Sequence, residues 1–208
     1  MTKPQAVIFD IGNVLIEWNP ERYYDSQLGE AERRRLFAEV PLTQMNLDID
    51  AGAPFRETIY DMAEKHPRWA DPIRWWHDRW IHMASPRIEP SIALLRRLRD
   101  KRIPVFALTN FGTHSFAYAE TQYDFFTEFD RRYISGELGV IKPDPAIYAA
   151  VESDCGLPPD TLLFTDDKVE NVQAAAQRGW QTHLFDGPRG WALRLVAAGL
   201  LTEQEAAL

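Results

Sequence analysis

The sequence contains a single cysteine, Cys155, and it has no long apolar run. One cysteine excludes an intramolecular disulfide, and a lone thiol is typical of a reducing compartment. A membrane-spanning helix needs about eighteen or more consecutive apolar residues, and a secretory signal needs a basic segment followed by an apolar one. Neither pattern occurs, so we expect a cytoplasmic protein with no membrane partner.

Positive charge is also scarce. The chain has 23 lysines and arginines against 31 aspartates and glutamates, which gives a formal net charge of -8. A general surface for nucleic acid or anionic lipid requires clustered cationic side chains, and the runs at 33–35 and 96–97 are surrounded by acids. The composition therefore predicts that the protein does not bind nucleic acid.

Short apolar runs of strand type are what the chain does contain. They recur along 208 residues that are 45% hydrophobic, enough for a sizeable core, and helix-length segments separate them. This alternation predicts an α/β fold, a doubly wound parallel sheet. The strands are expected at 6–10, 103–108, 161–165 and 181–185, and helices at 90–102, 145–152 and 169–178.

The segment from about residue 18 to about residue 86 interrupts this alternation. It has no convincing strand pattern and contains helix-compatible stretches at 30–39 and 55–65. We therefore predict an α/β core formed by residues 1–17 and 87–208, with an inserted α-helical cap domain at 18–86. The spacing of Trp69, Trp76 and Trp80 puts them on one helical stripe, for which helix packing is favoured over ligand stacking.

Polar side chains follow the predicted strands at the point where each strand ends. The carboxyl ends of parallel strands meet at one edge of a sheet, so these groups should converge. Three carboxylates beside one ammonium would repel one another strongly unless a cation lay among them, and a set of oxygen ligands favours Mg²⁺. The residues are Asp10, Thr109, Asn110, Lys142, Asp166 and Asp167.

Four segments, in this order, resemble the motifs of the haloacid dehalogenase-like (HAD) superfamily of hydrolases. They are Phe9–Val14, Leu108–Asn110, Lys142–Pro145, and Phe164–Asp167 with Asn171. The resemblance covers residues 6–17 and about 87–190, and the insertion lies where that superfamily has a cap of the C1 type. It implies a Rossmannoid core with a helical cap.

The resemblance also implies a reaction, the hydrolysis of a small phosphorylated molecule. Asp10 would attack the phosphorus of a monoester to form an aspartyl-phosphate, which water then hydrolyses. Mg²⁺ would be bound by Asp10, the Gly12 carbonyl and one or both of Asp166 and Asp167.

The remaining motif residues would contact the phosphate or the acids. Thr109 and Asn110 would donate hydrogen bonds to phosphate oxygens, and Lys142 would neutralise charge on the nucleophile and the phosphate. Asn171 would orient the acidic pair from behind.

One position departs from the family pattern. Typical phosphatases of the superfamily carry a second aspartate, a general acid and base, where this chain has Gly12. Three explanations are open: a leaving group of low pKa such as a sugar hemiacetal, a substitute acid among Glu17, Glu21, Asp48 and Asp50, or a catalytically weak protein that binds phosphorylated metabolites. A subgroup of sugar-1-phosphate phosphatases with an Asp-x-Gly-Asn-Val motif is similar and favours the first, with a sugar phosphate as substrate.

L-2-haloacid dehalogenases offer a competing interpretation, because they share this fold and also lack the second aspartate. Lys142 followed by Tyr148 resembles their pattern. They replace the acidic pair with small neutral residues, however, since their substrate is itself a carboxylate. Asp166 and Asp167 would repel a haloacid, and no clear match to a substrate-binding cap arginine is found. Phosphomonoester hydrolysis is therefore preferred.

Overall fold

A five-stranded, all-parallel sheet forms the centre of the computed structural model, which describes residues 2–207. The spatial order of the strands is β3-β2-β1-β4-β5. The doubly wound α/β fold is confirmed. The strands are β1 (Ala6–Phe9), β2 (Val105–Thr109), β3 (Arg131–Ile134), β4 (Leu162–Asp166) and β5 (Gln181–Leu184).

The strand β1 is apolar throughout because both faces of the sheet are covered. Val7 and Phe9 belong to one buried cluster, which also contains Trp191. Ala6 and Ile8 belong to a second cluster on the opposite face. Alternate side chains of a strand point to opposite faces, so a strand covered on both sides has no polar position.

The chain between β1 and β2 begins with six helices that run from Pro20 to Met83. An Asn19 side chain caps the first helix by accepting a hydrogen bond from the Arg22 N–H at 2.9 Å. The helices are α1 (Pro20–Leu28), α2 (Glu30–Glu39), α3 (Leu42–Asp50), α4 (Phe55–Lys65), α5 (Ala70–Asp78) and α6 (Trp80–Met83).

The two segments that connect these helices to the sheet pair with each other. The Glu17 N–H donates to the Pro86 carbonyl at 2.9 Å, and the Ile88 N–H donates to the Leu15 carbonyl at 2.8 Å. We propose that this pairing marks the boundary between the core and the cap, at the predicted positions 17/18 and 86/87.

Trp80 and Trp76 lie on different helices, and Trp69 ends a 3-10 turn before α5, so the predicted single stripe is distributed over three elements.

The remaining helices cover the sheet. The later helices are α7 (Glu89–Asp100), α8 (Thr113–Gln122), α9 (Ser135–Leu138), α10 (Pro145–Cys155), α11 (Val169–Gln177) and α12 (Pro188–Ala197). Within residues 2–207 none of the helices has both the length and the apolar character needed to cross a membrane.

Trp191 on α12 provides a test of this packing. Its side chain is fully buried, and its ring meets that of Phe9 edge-on at a centroid distance of 5.6 Å. We expect Trp191→Ala to lower the free energy of unfolding by about 3–5 kcal/mol, measured by urea denaturation. Leu193→Ala on the same helix, where the side chain is 64% exposed, should change it by less than about 0.5 kcal/mol. Equal losses would contradict the assigned packing.

Candidate active site

The acidic residues meet at the carboxyl edge of two neighbouring strands. Asp10 follows β1 directly, Asp166 ends β4 and Asp167 comes next. The two strands pair in register, and the Asp10 N–H donates to the Thr165 carbonyl at 2.9 Å. One carboxylate oxygen from each of the three aspartates lies within 4.8 Å of the others.

Lys142 lies among these carboxylates with its side chain only 1% exposed. Its Nζ is 2.9 Å from Asp10 Oδ1 and 2.6 Å from Asp166 Oδ2, and it donates to the Leu108 carbonyl at 2.9 Å. Burial disfavours the ammonium form, but the charges of Asp10 and Asp166 outweigh it and raise the pKa of Lys142. The lysine therefore stays cationic.

The site contains more carboxylates than positively charged groups. Burial raises the pKa of Asp10 to about 7; Lys142 opposes the shift and Asp166 adds to it. Burial also raises the pKa of Asp167. Three carboxylates face one ammonium in a buried site, and a divalent cation would balance the excess negative charge. Because the donors are hard oxygen atoms, the set fits Mg²⁺.

Two asparagines hold the acids in place. Asn171 Nδ2 donates to both oxygens of Asp166, at 2.9 and 3.0 Å. Asn13 Nδ2 donates to Asp167 Oδ2 at 3.0 Å, while Asn13 Oδ1 accepts from the Trp18 N–H at 3.0 Å. Asn13 has a φ of 57°, a conformation that asparagine adopts more readily than most residues. No role for Asn13 was predicted from the sequence, although an asparagine directly after Gly12 is a signal for such a turn position.

A cavity of about 320 Å³ lies between this edge of the sheet and the helices α1 to α6. Thr109 borders it, as does Asn110. The Asn110 amide exchanges two hydrogen bonds with the Lys142 backbone, at 3.0 and 2.7 Å, so it also positions the lysine. Asp166 is fully buried beneath the cavity. The predicted residues that line it are Asp10, Gly12, Thr109, Asn110, Lys142, Asp167 and Asn171.

The backbone conformation and the space at residue 12 do not require a glycine. A Cβ placed there would lie 3.8 Å from the Cβ of Trp18, an ordinary van der Waals contact. Because the position can accommodate a side chain, the missing second aspartate is a chemical difference from typical family members and not a steric necessity.

Three of the four candidate substitute acids are poorly placed. Glu17 pairs with Arg22, and Asp48 is exposed and accepts a hydrogen bond from Gln44 at 2.8 Å. Glu21 borders the cavity, but its side chain is 61% exposed and lies 3.5 Å from Arg33. Neither Glu17 nor Asp48 lines the cavity.

Asp50 is the fourth candidate, and it lines the cavity together with Asp10. It ends α3, where its carboxylate accepts a hydrogen bond from Asn46 Nδ2 at 2.8 Å. Its backbone carbonyl accepts from Ser135 Oγ at 2.6 Å. A Cβ at Gly112 would lie 2.6 Å from Ile49 Cγ2, so this close docking of α3 requires glycine there.

The electrostatic surroundings of Asp50 favour its protonated form. Burial is the largest cause and raises its pKa to about 7. Lys168 and Lys142 oppose the shift, and Asp10 adds to it. Asp50 can therefore exchange a proton near neutral pH, as a general acid and base must.

Tyr148 does not reach the cavity. It is fully buried, and its hydroxyl donates to the Asn171 carbonyl at 3.0 Å behind the acidic pair. The Lys142 and Tyr148 pair that resembles haloacid dehalogenases thus has a packing role for its tyrosine in this chain.

A family model described as haloacid dehalogenase-like hydrolase matches residues 4–179. The chain belongs to this family. The HAD assignment agrees with the parallel sheet and with the carboxylates at its edge, and it makes the protein a hydrolase.

Three relatives of known name resemble this HAD hydrolase. A sesquiterpene phosphatase of Aspergillus oryzae is 25% identical over 88% of this chain and 90% of its own length. A D-ribitol-5-phosphate phosphatase of Bacteroides thetaiotaomicron is 20% identical over 89% and 93%. A drimenol cyclase of Aspergillus calidoustus is 23% identical over 87% of this chain, which spans only 34% of the cyclase.

Solved structures of HAD enzymes have the same fold. A HAD-family enzyme of Bacteroides thetaiotaomicron has a TM-score of 0.76 and 22% identity, with 93% of this chain and 99% of that chain covered. A second structure of that enzyme holds magnesium and inorganic phosphate; its TM-score is 0.70 at 23% identity, over 88% and 95%. The expectation of Mg²⁺ agrees with this complex and with the acidic cluster.

The support of Asp166 by Asn171 predicts a measurable effect on metal binding. We expect Mg²⁺ to raise the melting temperature of the protein, with a shift that grows with the logarithm of its concentration above the dissociation constant. Asn171→Ala should weaken the apparent Mg²⁺ affinity about 10- to 100-fold, because the carboxylate loses its positioning donor. The measurement is a thermal melt over a Mg²⁺ titration.

The matched control is Asp48→Asn, which removes an exposed acid outside the cavity. It should leave the Mg²⁺ dependence of the melting temperature unchanged. An unchanged titration curve for Asn171→Ala would contradict the role given to Asn171.

Proposed function

We propose that the protein is a Mg²⁺-dependent phosphomonoester hydrolase that acts through an aspartyl-phosphate on Asp10. The observation that carries the proposal is the position of the Asp10 carboxylate. It lines the cavity 2.9 Å from the Lys142 ammonium, beside two further aspartates. The phosphatases among the relatives, named for a sesquiterpene and for D-ribitol 5-phosphate, support the reaction class.

In the first step an Asp10 carboxylate oxygen attacks phosphorus, and the bond from phosphorus to the ester oxygen breaks. Lys142 limits the repulsion between the carboxylate and the phosphate, and the Thr109 side chain and Asn110 orient the phosphate oxygens. Bound Mg²⁺, held by Asp10, the Gly12 carbonyl and the Asp166 and Asp167 pair, would supply charge neutralisation in this site.

Asp50 supplies the proton that Gly12 cannot supply. Its protonated carboxyl donates to the departing ester oxygen, which leaves as an alcohol. In the second step the Asp50 carboxylate takes a proton from water as the water oxygen attacks the phosphorus of the aspartyl-phosphate. Inorganic phosphate leaves, and the Asp10 carboxylate and the protonated Asp50 are regenerated. Of the explanations for Gly12, this selects a substitute acid in the cap.

Haloacid dehalogenation and pure metabolite binding are the alternatives. A haloacid would bring its own carboxylate to a site that already has an excess of negative charge, and Tyr148 is directed away from the cavity. Binding alone would not require the ordered acids, or a carboxyl such as Asp50 that exchanges a proton near neutral pH. Assays for halide release from 2-haloacids, and for phosphate release from a broad panel of phosphomonoesters, separate the three.

Asp10→Asn tests the nucleophile. We expect it to reduce phosphate release by at least about 10⁴-fold, because the amide cannot form the acyl phosphate. The fold should survive, since asparagine has nearly the same volume, and circular dichroism would show this. Retained activity would mean that another residue is the nucleophile.

Asp50→Asn tests the proton donor. We expect a loss of about 10²- to 10⁴-fold on alkyl phosphates, whose alkoxide needs a proton. These losses refer to kcat/KM, which covers the steps up to release of the leaving group; for p-nitrophenyl phosphate the loss of kcat/KM should be small, because nitrophenolate leaves without a proton. The turnover number kcat should fall for both esters, because both share the hydrolysis of the aspartyl-phosphate that Asp50 assists. In the native protein, kcat/KM for an alkyl phosphate should fall as the pH rises through about 7, where Asp50 ionises. This decline should be absent in the variant.

Two further variants sharpen this test. Asp48→Asn, on the same helix but outside the cavity, should retain full activity on both substrates. Gly12→Asp, combined with Asp50→Asn, places a carboxyl where a Cβ has room and should restore at least about tenfold of the lost alkyl phosphatase activity. Equal losses of kcat/KM on alkyl and nitrophenyl esters in Asp50→Asn would rule out the assigned proton transfer to the leaving group.

A further inference from the structure

The cavity changes character away from the phosphate end. Five aromatic rings form a continuous surface there, which we call the aromatic wall: Phe37, Trp76, Trp18, Trp80 and Phe111. Successive ring centroids in this order lie 6.4, 5.9, 5.9 and 5.4 Å apart.

The aromatic wall is assembled from separate parts of the chain. Phe37 comes from α2, Trp76 from α5 and Trp80 from α6, whereas Trp18 lies in the linker before α1 and Phe111 follows β2. Leu47 on α3 continues the apolar lining. The rings thus serve both helix packing and the cavity surface.

Two polar residues that line the cavity near the aromatic wall, Asn46 and Glu21, are already paired within the protein. The Asn46 side chain accepts from Trp76 Nε1 at 3.1 Å and donates to Asp50 at 2.8 Å. Glu21, at the rim, lies 3.5 Å from Arg33. A sugar or sugar alcohol presents several hydroxyls, and a site that leaves them without partners discriminates against it.

We propose that the organic part of the substrate is apolar, an alkyl or prenyl chain that lies against the aromatic wall while its phosphate meets Asp10 and Lys142. This rests on the proposed phosphomonoesterase function and names its substrate class. The volume of about 320 Å³ is within the range of small-molecule pockets. This class differs from the sugar phosphate that the sequence resemblance implies, which stays a prediction that the same experiment tests.

The named relatives are divided on this point. The sesquiterpene phosphatase and the drimenol cyclase carry terpenoid names, whereas the ribitol-phosphate phosphatase acts on a polyol ester. The composition of the wall is what favours the apolar class.

The test is a comparison of kcat/KM with Mg²⁺ for n-hexyl phosphate, geranyl phosphate, ethyl phosphate, glucose 1-phosphate and D-ribitol 5-phosphate. We expect the hexyl and geranyl esters to exceed the ethyl ester by at least about tenfold and the two polyol esters by at least about 100-fold, because each buried methylene adds selectivity. Phosphate release is the readout, with Asp10→Asn as the blank.

A substitution in the aromatic wall tests whether the wall causes the selectivity for apolar esters. Phe37→Ser should raise KM for hexyl phosphate about tenfold and leave kcat nearly unchanged, since it removes binding common to ground and transition states. The ratio of kcat/KM for hexyl phosphate to kcat/KM for acetyl phosphate, whose small group does not span the cavity, should therefore fall about tenfold. Leu193→Ser, an exposed leucine on α12, is the control for loss of an apolar side chain and should change neither substrate.

Binding can be measured without turnover and without altering the wall. Hexylphosphonate added to Asp10→Asn should change tryptophan fluorescence, because three indoles line the cavity, and ribitol 5-phosphate at equal concentration should not. If a polyol phosphate is hydrolysed as well as hexyl phosphate, through Asp10, the substrate class is wrong and the phosphatase stands. If no ester in the panel releases phosphate, the proposed function itself fails.

Discussion

The contact of Lys142 with Asp10 and Asp166 is the constraint on which the rest of the structure depends. A buried ammonium is tolerated only when it is paired and fully hydrogen-bonded, and here three partners occupy its three donors. Those partners come from the ends of β1, β2 and β4, so the contact requires these strands to be neighbours and parallel. The same contact brings the proposed nucleophile Asp10, the acidic pair and the Lys142 ammonium together.

The sheet core and the acids at its edge could be predicted because they depend on short, local sequence patterns. Strands buried on both faces are continuously apolar, and the acids that follow them stand out. The edge strand β3 was not predicted, since its first residues, Arg131 and Arg132, are exposed. The helix α12 was not predicted either. The tryptophans were wrongly placed on one stripe, because turns that separate Trp69, Trp76 and Trp80 are not visible in their spacing.

Asp50, the proposed substitute for an acid at Gly12, could not be selected from the sequence for a different reason. The sequence does not distinguish the four candidate acids, because all are carboxylates in or next to the inserted segment. Only tertiary packing shows which of Glu17, Glu21, Asp48 and Asp50 faces the cavity next to Asp10. Asp50 reaches the cavity because Gly112 admits Ile49 at close range and Ser135 holds the Asp50 carbonyl. The aromatic wall likewise depends on rings from five separate elements, which no window of the sequence shows together.

The docking of α3 against Gly112 determines when Asp50 and Asp10 lie in the same cavity. Asp10 directly follows strand β1 of the sheet, whereas Asp50 ends α3 among the inserted helices, and the paired linkers at 15–17 and 86–88 connect the sheet to these helices. Any opening that admits substrate by moving α3 also carries Asp50 away from Asp10. In the proposed mechanism, proton transfer by Asp50 therefore requires α3 to be docked on Gly112; with α3 displaced, water would reach the proposed aspartyl-phosphate without a base to activate it.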